Sequence, residues 1–406
     1  MLTENNHWKK QYETAVKILE ERGQDIERVK ARLMGQHIEL PSWGFNRGGT
    51  RFGSYIDGTE PETIEEKMDA AGTVNRLTGV TPTVALHIPW DGKNEEEWQR
   101  TLDAVQSNGL KPGSINCNTF QQREEGAMDH RLRDGSLTNP DPAVREATLA
   151  HVLDCIQIMR WFESDILTVW LHDGTNSPGQ MSLYQQTELL DQSFKEIYNN
   201  LDPGHKMLIE YKIFEPAFYA TAIADWGRSY SLTRMLGDQA YVLVDTGHHP
   251  HVVNLEQIVT NLIHFGKLGG FHFNDRKYAD DDLVAGSIQP FQLFLIYNAL
   301  VEGEERNLHA VEDVAYMVDQ SHNVKAPTEA MLETVENIQR AFAQALVVDR
   351  TSLNAAYDDR DTELADQILR EAFYEIPVHA IIKRAREEAG LPVDPLREYR
   401  ELSGTR

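Results

Sequence analysis

Cysteine is scarce in this chain, and long apolar runs are missing from it. Only two of the 406 residues are cysteines, Cys117 and Cys155, which is too few for a disulfide framework or a thiolate metal site. The N-terminal stretch MLTENNHWKK is polar, unlike a secretory signal, and no run approaches the roughly 18 apolar residues of a membrane span. We therefore expect a soluble, cytoplasmic protein that has no membrane partner.

Positive charge is also in short supply. Lysine and arginine together number 39 against 64 aspartates and glutamates, so the formal net charge is −25. A chain of this charge repels phosphate backbones, which excludes nucleic acid as an expected partner. The hydrophobic content of 41% and the charged content of 25% are ordinary for a globular protein, so the chain can bury a core of normal size.

After Pro41, short apolar segments alternate with longer amphipathic ones. The predicted strands are 42–45, 83–90, 113–120, 165–173, 206–215, 240–248, 268–275 and 313–323. The predicted helices lie near 62–78, 95–107, 141–164, 182–201, 222–236, 254–265, 288–303 and 327–346. Eight strand–helix units in strict alternation predict an α/β chain with a (β/α)8 TIM barrel. A doubly wound open sheet is the main alternative, but no glycine-rich phosphate-binding fingerprint follows the first strand.

Helical segments flank the predicted barrel on both sides. Residues 1–40 form an expected N-terminal helical extension, in which Trp8, Tyr12 and Val16 share one face. Residues 41–346 form the expected catalytic barrel, and residues 347–406 form a C-terminal helical tail that several prolines interrupt. We expect the tail to contact a neighbouring subunit.

Four successive predicted strands end in acidic and histidine residues, at the barrel end where active sites lie. Five carboxylates are expected to converge there, and they are Glu210, Asp245, Asp280, Asp282 and Asp319. His248 and His272 accompany them, and Lys212 shares the strand face of Glu210. Without cations these carboxylates would repel one another and take up protons. Two divalent cations together with Lys212 would balance the charge, and such ligands suit Mn²⁺, Mg²⁺ or Co²⁺.

Each of these signals also has an ordinary structural explanation. Glu210 and Lys212 could form an internal ion pair, and His248 could belong to a merely polar loop. His272, which lies between two phenylalanines, could be a packed core residue. The run of three aspartates from 280 to 282 could be a solvated loop. Only their convergence on one end of a barrel favours a metal centre.

The first four predicted strands end in aromatic residues instead. Trp43, Trp90, Phe120 and Trp170 lie at or near these ends, and His87, Asn116, His172 and Asp173 are interspersed among them. Apolar ring faces beside hydrogen-bonding groups suit a sugar, whose C–H faces stack while its hydroxyls need polar partners. The alternative is that Trp43 and Trp90 merely fill the barrel core.

Five segments together resemble a known family. They read WLHDGTNSPGQ, IEYKIFEP, VDTGHHPH, GGFHFNDRKYADDDL and VDQSHN. These segments resemble the L-rhamnose isomerases of the broad-specificity bacterial type, which are relatives of xylose isomerase among the metal-dependent sugar isomerase barrels. The resemblance covers roughly residues 40–350 and extends to the helical ends.

The resemblance implies roles for individual residues. One metal ion would bind Glu210, Asp245, His272 and Asp319, and a second would bind Asp245, His248, Asp280 and Asp282. Lys212 would stabilise the charge developing on the oxygen near carbon 1, and His87 would help to open the sugar ring. Ser321 and Asp319 would lie near the reacting carbons. Substrate contacts are expected from Trp170, Phe120, Trp43 and Phe52, the last as the tip of a loop that either reaches a neighbouring subunit or acts as a lid.

The implied activity is the reversible isomerisation of L-rhamnose to L-rhamnulose. L-lyxose, L-mannose and D-allose are further expected aldoses, and the resemblance also implies a homotetramer that prefers Mn²⁺. Both a 1,2-hydride shift and proton transfer through an enediol are compatible with the sequence. Three other functions stay open: a metal-dependent ketose 3-epimerase, a barrel nuclease, which the net charge disfavours, and a non-catalytic carbohydrate-binding protein.

Overall fold

Eight parallel strands close into a barrel in the computed structural model, which describes residues 7–46, 49–50, 53–54, 61–120, 130–308, 313–322 and 324–404. The strands are β1 (Ile38–Pro41), β2 (Thr83–Ile88), β3 (Lys111–Cys117), β4 (Ile166–Val169), β5 (Lys206–Glu210), β6 (Ala240–Asp245), β7 (Leu268–Phe273) and β8 (Ala315–Val318). Each strand pairs with its neighbours in the sequence, and β1 pairs with β8 to close the ring. The predicted (β/α)8 barrel is therefore confirmed.

Helices follow the strands around the outside of the barrel. They are α3 (Ile64–Thr78), α4 (Glu95–Ser107), α5 (Pro142–Phe162), α6 (Leu183–Asn199), α7 (Trp226–Leu236), α8 (Leu255–His264), α9 (Pro290–Glu305) and α10 (Pro327–Leu346). Their first turns follow local rules. Helix α5 starts with Pro142 after the N-cap Asp141, whose side chain accepts from the backbone N–H of Ala143. Thr63 and Glu66 form a reciprocal capping box at the start of α3.

The first predicted strand is wrong by four residues. Residues Ser42–Phe45 form a 3-10 turn, and the strand is the preceding segment Ile38–Pro41. Ile38 and Leu40 are fully buried in the main core, whereas Glu39 between them faces the barrel interior beside Ser114. The strand has only four residues, and Glu39 at its interior face is charged, so the segment contains no apolar run that would indicate a barrel strand. As a result, Trp43 stands above the end of β1 instead of within it.

The terminal extensions pack against one another on the outside of the barrel. Helices α1 (His7–Glu21) and α2 (Ile26–Met34) contact α13 (Val378–Glu388), which also packs on α10. Arg386 of α13 is buried and donates to Glu336 at 3.0 Å and to Gln339 at 2.6 Å. Helices α11 (Arg350–Asp359), α12 (Thr362–Arg370) and α14 (Pro395–Ser403) complete the tail. In the described ranges, no helix combines the length and the apolar character that a bilayer crossing demands.

Candidate active site

Every second residue of the last four strands points into the barrel. Leu208, Leu243 and Met317 form a small interior cluster, separate from the main core that lies between the strands and the helices. Two residues further along the same strands, toward the C-terminal ends, come Glu210, Asp245 and Asp319. Because side chains alternate across a strand, these three carboxylates share the interior face with the apolar cluster beneath them.

A first group consists of four side chains, each of which offers one ligand atom: Glu210, Asp245, His272 and Asp319. These atoms all lie within 4.8 Å of one another. His272 Nδ1 lies 3.3 Å from Glu210 Oε1 and 3.6 Å from Asp319 Oδ2. The four residues come from the ends of four consecutive strands, so the closure of the barrel itself assembles the group.

A second group consists of Asp245, His248 and Asp280, again with ligand atoms within 4.8 Å of one another. His248 Nδ1 lies 3.0 Å from the carbonyl oxygen of Tyr211, which can only accept, so this nitrogen carries the proton. In the neutral imidazole the lone pair is then on Nε2, which faces Asp245 Oδ2 at 3.8 Å and Asp280 Oδ1 at 3.4 Å. A carbonyl that fixes the tautomer of an imidazole is a common arrangement around metal ligands.

The donor set fits divalent cations. Both ring nitrogens of His272 and Oδ1 of Asp280 are buried, yet none makes a hydrogen bond of normal geometry. Asp282 lines the same cavity as Asp280 but belongs to neither group. Carboxylate oxygens with one imidazole in each group are ligands that Mn²⁺, Co²⁺ or Mg²⁺ accepts. This buried cluster could therefore hold metal ions.

Without bound cations, several buried side chains of the two groups bind protons instead. Burial raises the pKa of Asp245 to about 7, and the carboxylates of Glu210 and Asp280 add to the shift. Burial alone would lower the pKa of His248, but the facing carboxylates of Asp245 and Asp280 raise it to about 10. The pKa of His272 rises to about 9 in the same way, through Glu210. The metal-free cluster thus binds more protons than the unfolded chain at neutral pH.

We expect the chelator-treated protein to lose thermal stability as the pH rises from about 6 to about 9. The raised pKa values of Asp245, His248 and His272 mean that the folded state holds protons that the unfolded state has already released. Stability falls with rising pH wherever the folded state binds more protons. Thermal unfolding followed by circular dichroism across this range measures the effect. Protein with saturating Mn²⁺ is the control, and its thermal stability should depend less on pH. A metal-free protein that gains stability as the pH rises would contradict the prediction.

Lys212, two residues beyond the end of β5, lies beside the second group. Its Nζ lies 2.5 Å from Asp280 Oδ2 and 3.8 Å from Glu215 Oε2, and it sits 5.5 Å from the ring centre of Trp170. Burial would lower the pKa of Lys212, but the Asp280 carboxylate outweighs it, and the net pKa is raised. Lys212 therefore carries a positive charge within the cavity.

The segment between β7 and α9 that carries Asp280 and Asp282 is shaped by Asp281. Its Oδ2 accepts from the backbone N–H groups of Lys277 and Tyr278, both at 2.6 Å. This turn directs the flanking carboxylates of Asp280 and Asp282 toward the cavity. Sequence reasoning missed the role of Asp281, although an aspartate that accepts from backbone amides is a recognised turn former.

The same segment is closed at its base by Asp275 and Leu283. Their backbone N–H and carbonyl groups exchange hydrogen bonds of 2.8 and 2.9 Å. The Asp275 carboxylate also accepts from the backbone N–H groups of Ile288 and Gln289, both at 2.8 Å. Asp275 thus ties the segment to the start of α9.

Aromatic residues form the opposite wall. Trp43 Nε1 donates to Asp319 Oδ1 at 2.8 Å. His87 stacks on Trp90 with ring centres 3.7 Å apart, and burial lowers the pKa of His87 to about 3. Phe120 meets Trp170 edge to face at 5.2 Å. The imidazole of His87 is therefore neutral at physiological pH.

The cavity between the aromatic wall and the acidic groups has a volume of about 230 Å³. It is lined by Trp43, His87, Trp90, Asn116, Cys117, Phe120, Thr168, Trp170, Glu210, Lys212, His248, His272, Asp280, Asp282 and Asp319. This volume is below the roughly 300 Å³ at which pockets for drug-sized ligands begin. A small, polar molecule with an apolar face fits such a cavity.

Among the described residues singled out from the sequence, Ser321, Asp173 and His172 do not line the cavity. Ser321 is exposed, and its backbone N–H donates to the carbonyl oxygen of Asp282 at 3.3 Å. Asp173 is fully buried and accepts from Ser136 and Thr138, so it holds a loop in place. His172 Nε2 lies 3.0 Å from a backbone carbonyl oxygen. Phe52 lies outside the described residues.

Known proteins similar to this chain were found by sequence and by structure. No protein-family model matches the chain. A probable sugar isomerase of Mesorhizobium japonicum is 42% identical over 94% of this chain and 87% of its own length. A probable sugar isomerase of Rhizobium meliloti is 41% identical over 96% of this chain and 89% of its own length. A crystal structure of D-psicose 3-epimerase in the presence of D-fructose superposes with a TM-score of 0.51 at 11% identity, covering 76% of this chain and 97% of that one, which shows a shared fold.

Proposed function

The chain belongs to the family of these two probable sugar isomerases, and on that premise we propose that it is a metal-dependent aldose–ketose isomerase that interconverts L-rhamnose and L-rhamnulose. L-lyxose, L-mannose and D-allose are further substrates in this proposal. Two divalent cations bind per chain, with Mn²⁺ preferred and Co²⁺ or Mg²⁺ as substitutes. The active form is a cytoplasmic homotetramer.

One observation carries the proposal. Asp245 belongs to both ligand groups, and the charged Lys212 stands beside the second of them. A carboxylate shared by two groups supports a pair of neighbouring cations, and isomerisation needs both oxygens of a hydroxy-carbonyl unit to be held at once. Cations bound there would act as Lewis acids on these two oxygens.

The side chains of the cavity supply the remaining steps. The Lys212 ammonium can donate a hydrogen bond to the oxygen on carbon 1, where negative charge develops during hydrogen transfer from carbon 2. Neutral His87 lines the cavity and can exchange a proton with the anomeric hydroxyl while the ring opens. Asp319 is held by Trp43 next to the reacting carbons.

The aromatic wall supports a sugar as the substrate. Trp90, Phe120 and Trp170 present ring faces and edges, while Asn116 and Thr168 present polar atoms from neighbouring strands. The C–H face of a pyranose can pack on the rings while its hydroxyls meet the polar groups.

An assay of chelator-stripped protein with L-rhamnose tests the proposal. We expect L-rhamnulose to form only after Mn²⁺ is added, because the cluster needs cations to bind the substrate oxygens. The ketose is measured by chromatography, and metal-free protein serves as the control. Bound metal without any ketose product from L-rhamnose would contradict the assignment to this sugar.

A ketose 3-epimerase is the second candidate function, because paired cations and carboxylates also suit proton removal at carbon 3. The same protein is then incubated with L-rhamnulose. Formation of the carbon-3 epimer without any aldose would replace isomerisation by epimerisation as the function of this site.

A further inference from the structure

Hydrogen-bonded side chains connect the candidate active site with a second cavity at the opposite end of the barrel. This lower cavity has a volume of about 350 Å³ and is lined by the N-terminal ends of the strands, including Glu39 and Ser114. Asn116 and Thr168 line the upper cavity. Ser114 and Asn116 alternate on the interior face of β3, so the four residues form one chain through the barrel.

The lower half of this chain has a defined direction. In its carboxylate form Glu39 has no proton to donate, and its Oε1 accepts from the backbone N–H of Ser114 at 3.0 Å. Ser114 Oγ, which is 2.5 Å from the same oxygen, therefore donates its only hydroxyl proton to Glu39. The space for the carboxylate exists because residue 113 is a glycine: a Cβ there would lie 1.8 Å from Glu39 Oε2.

The direction of the hydrogen bonds in the upper half of the chain follows in the same way. With its proton committed to Glu39, Ser114 Oγ can only accept from Asn116 Nδ2, at 3.4 Å. Asn116 Nδ2 also lies 3.3 Å from the carbonyl oxygen of Leu86, which cannot donate. The amide oxygen of Asn116 must then face the other way, where the hydroxyl of Thr168 donates to it. The Thr168 hydroxyl also lies 3.4 Å from the carbonyl oxygen of Ile115, so its one proton faces two acceptors within the protein. This part of the wall therefore offers a ligand the free lone pairs of Asn116 Oδ1 and Thr168 Oγ1.

We infer that Glu39 is a positioning residue that, through Ser114, makes the Asn116–Thr168 wall an acceptor-only contact for a substrate hydroxyl. A ligand must donate a proton to this contact, so a fluoro-substituted sugar, which cannot donate, is rejected there. The inference deepens the proposed function, on which it rests for the identity of the ligand as a sugar. It assigns specificity to a carboxylate on the far side of the barrel from the reacting carbons.

The variant Glu39→Met tests the inference, because it keeps the side-chain length but removes the acceptor. Losing one oriented hydrogen bond is expected to raise KM about fivefold while kcat changes less than about twofold. The variant should also lose part of the discrimination between the aldose and its monodeoxyfluoro analogues. Ser114→Ala should give the same changes, and the double variant should be no worse than either single one, since both interrupt one chain.

Glu163→Met is the matched control. Glu163 lines the same lower cavity but makes no hydrogen bond to Ser114, so its KM and analogue discrimination should stay as in the unaltered protein. Metal content and thermal unfolding are measured first, so that misfolded variants can be excluded. If Glu39→Met proves to be misfolded, the kinetics of Ser114→Ala decide the test. Unchanged KM and discrimination in Glu39→Met and Ser114→Ala, or equal changes in Glu163→Met, would overturn the inference. If the unaltered protein isomerises none of these sugars, only the proposed function is overturned. Calorimetric measurement of sugar binding then compares the affinities and the analogue discrimination of the same variants.

Discussion

Replacing Lys212 by methionine is expected to lower kcat for L-rhamnose by about 10²–10³-fold while both cations stay bound. Among the described residues that line the cavity, Lys212 carries the only ammonium group, and the substitution removes it as the donor for the oxygen on carbon 1. Preorganised donors to developing oxyanions typically contribute rate factors of this size. Steady-state kinetics together with metal analysis by mass spectrometry separate this loss from a loss of cations.

Lys206→Met is the matched control for this substitution. Lys206 lies at the other end of the same strand, where its Nζ donates to the backbone carbonyl oxygen of Asp313 at 3.2 Å. The change in charge and shape is identical, but the site lies outside the cavity, so kcat should stay within about twofold. If Lys212→Met retained full activity, the role proposed for this lysine would be wrong.

Asp245→Asn is expected to remove both cations and with them all measurable turnover. Asp245 contributes an oxygen to each ligand group, so weakening this one ligand weakens both sites. Glu210→Gln and Asp280→Asn each change a single group and should each lower the metal content by about one ion per chain. Mass-spectrometric metal analysis after gel filtration measures the three stoichiometries side by side.

The control for these variants must change an aspartate without touching the cluster. Asp225→Asn meets this need, because Asp225 caps α7 by accepting from the N–H of Arg228, and asparagine caps helices equally well. Its metal content and its melting temperature should match the unaltered protein. Two cations retained by Asp245→Asn would show that the groups do not share this carboxylate as a ligand.

The sequence was sufficient to predict the barrel and the convergence of the acidic residues. Alternation of side chains along a strand, combined with parallel strands whose ends meet at one face, places Glu210, Asp245 and Asp319 together without further information. His272 was ambiguous between two phenylalanines, yet its position two residues beyond the interior Gly270 assigns it to the same face.

Other features depend on contacts that no local pattern specifies. The first strand contains Glu39, whose place inside the barrel exists only because Gly113 on a different strand leaves room for it. The three consecutive aspartates 280–282 look equivalent in the sequence, but backbone turns make the middle one a structural anchor and turn its neighbours toward the cavity. The direction of the Ser114–Asn116–Thr168 hydrogen bonds follows from the Glu39 carboxylate on β1 and the Leu86 carbonyl oxygen on β2.

The hydrogen bond from Trp43 to Asp319 has a consequence for redesigning selectivity. Most of the cavity is divided into two independent halves, with strands β1 to β4 supplying the aromatic wall and β5 to β8 supplying the acidic groups. Trp90 and Phe120 can therefore be varied to admit other aldoses while the charged half is left intact. Trp43 and Trp170 are the exceptions, since the indole N–H of Trp43 holds a carboxylate of the opposite half and the ring of Trp170 lies 5.5 Å from Lys212 Nζ. A library that randomises either of these two tryptophans would change sugar preference and the charged groups together, whereas one that spares both would report on sugar preference alone.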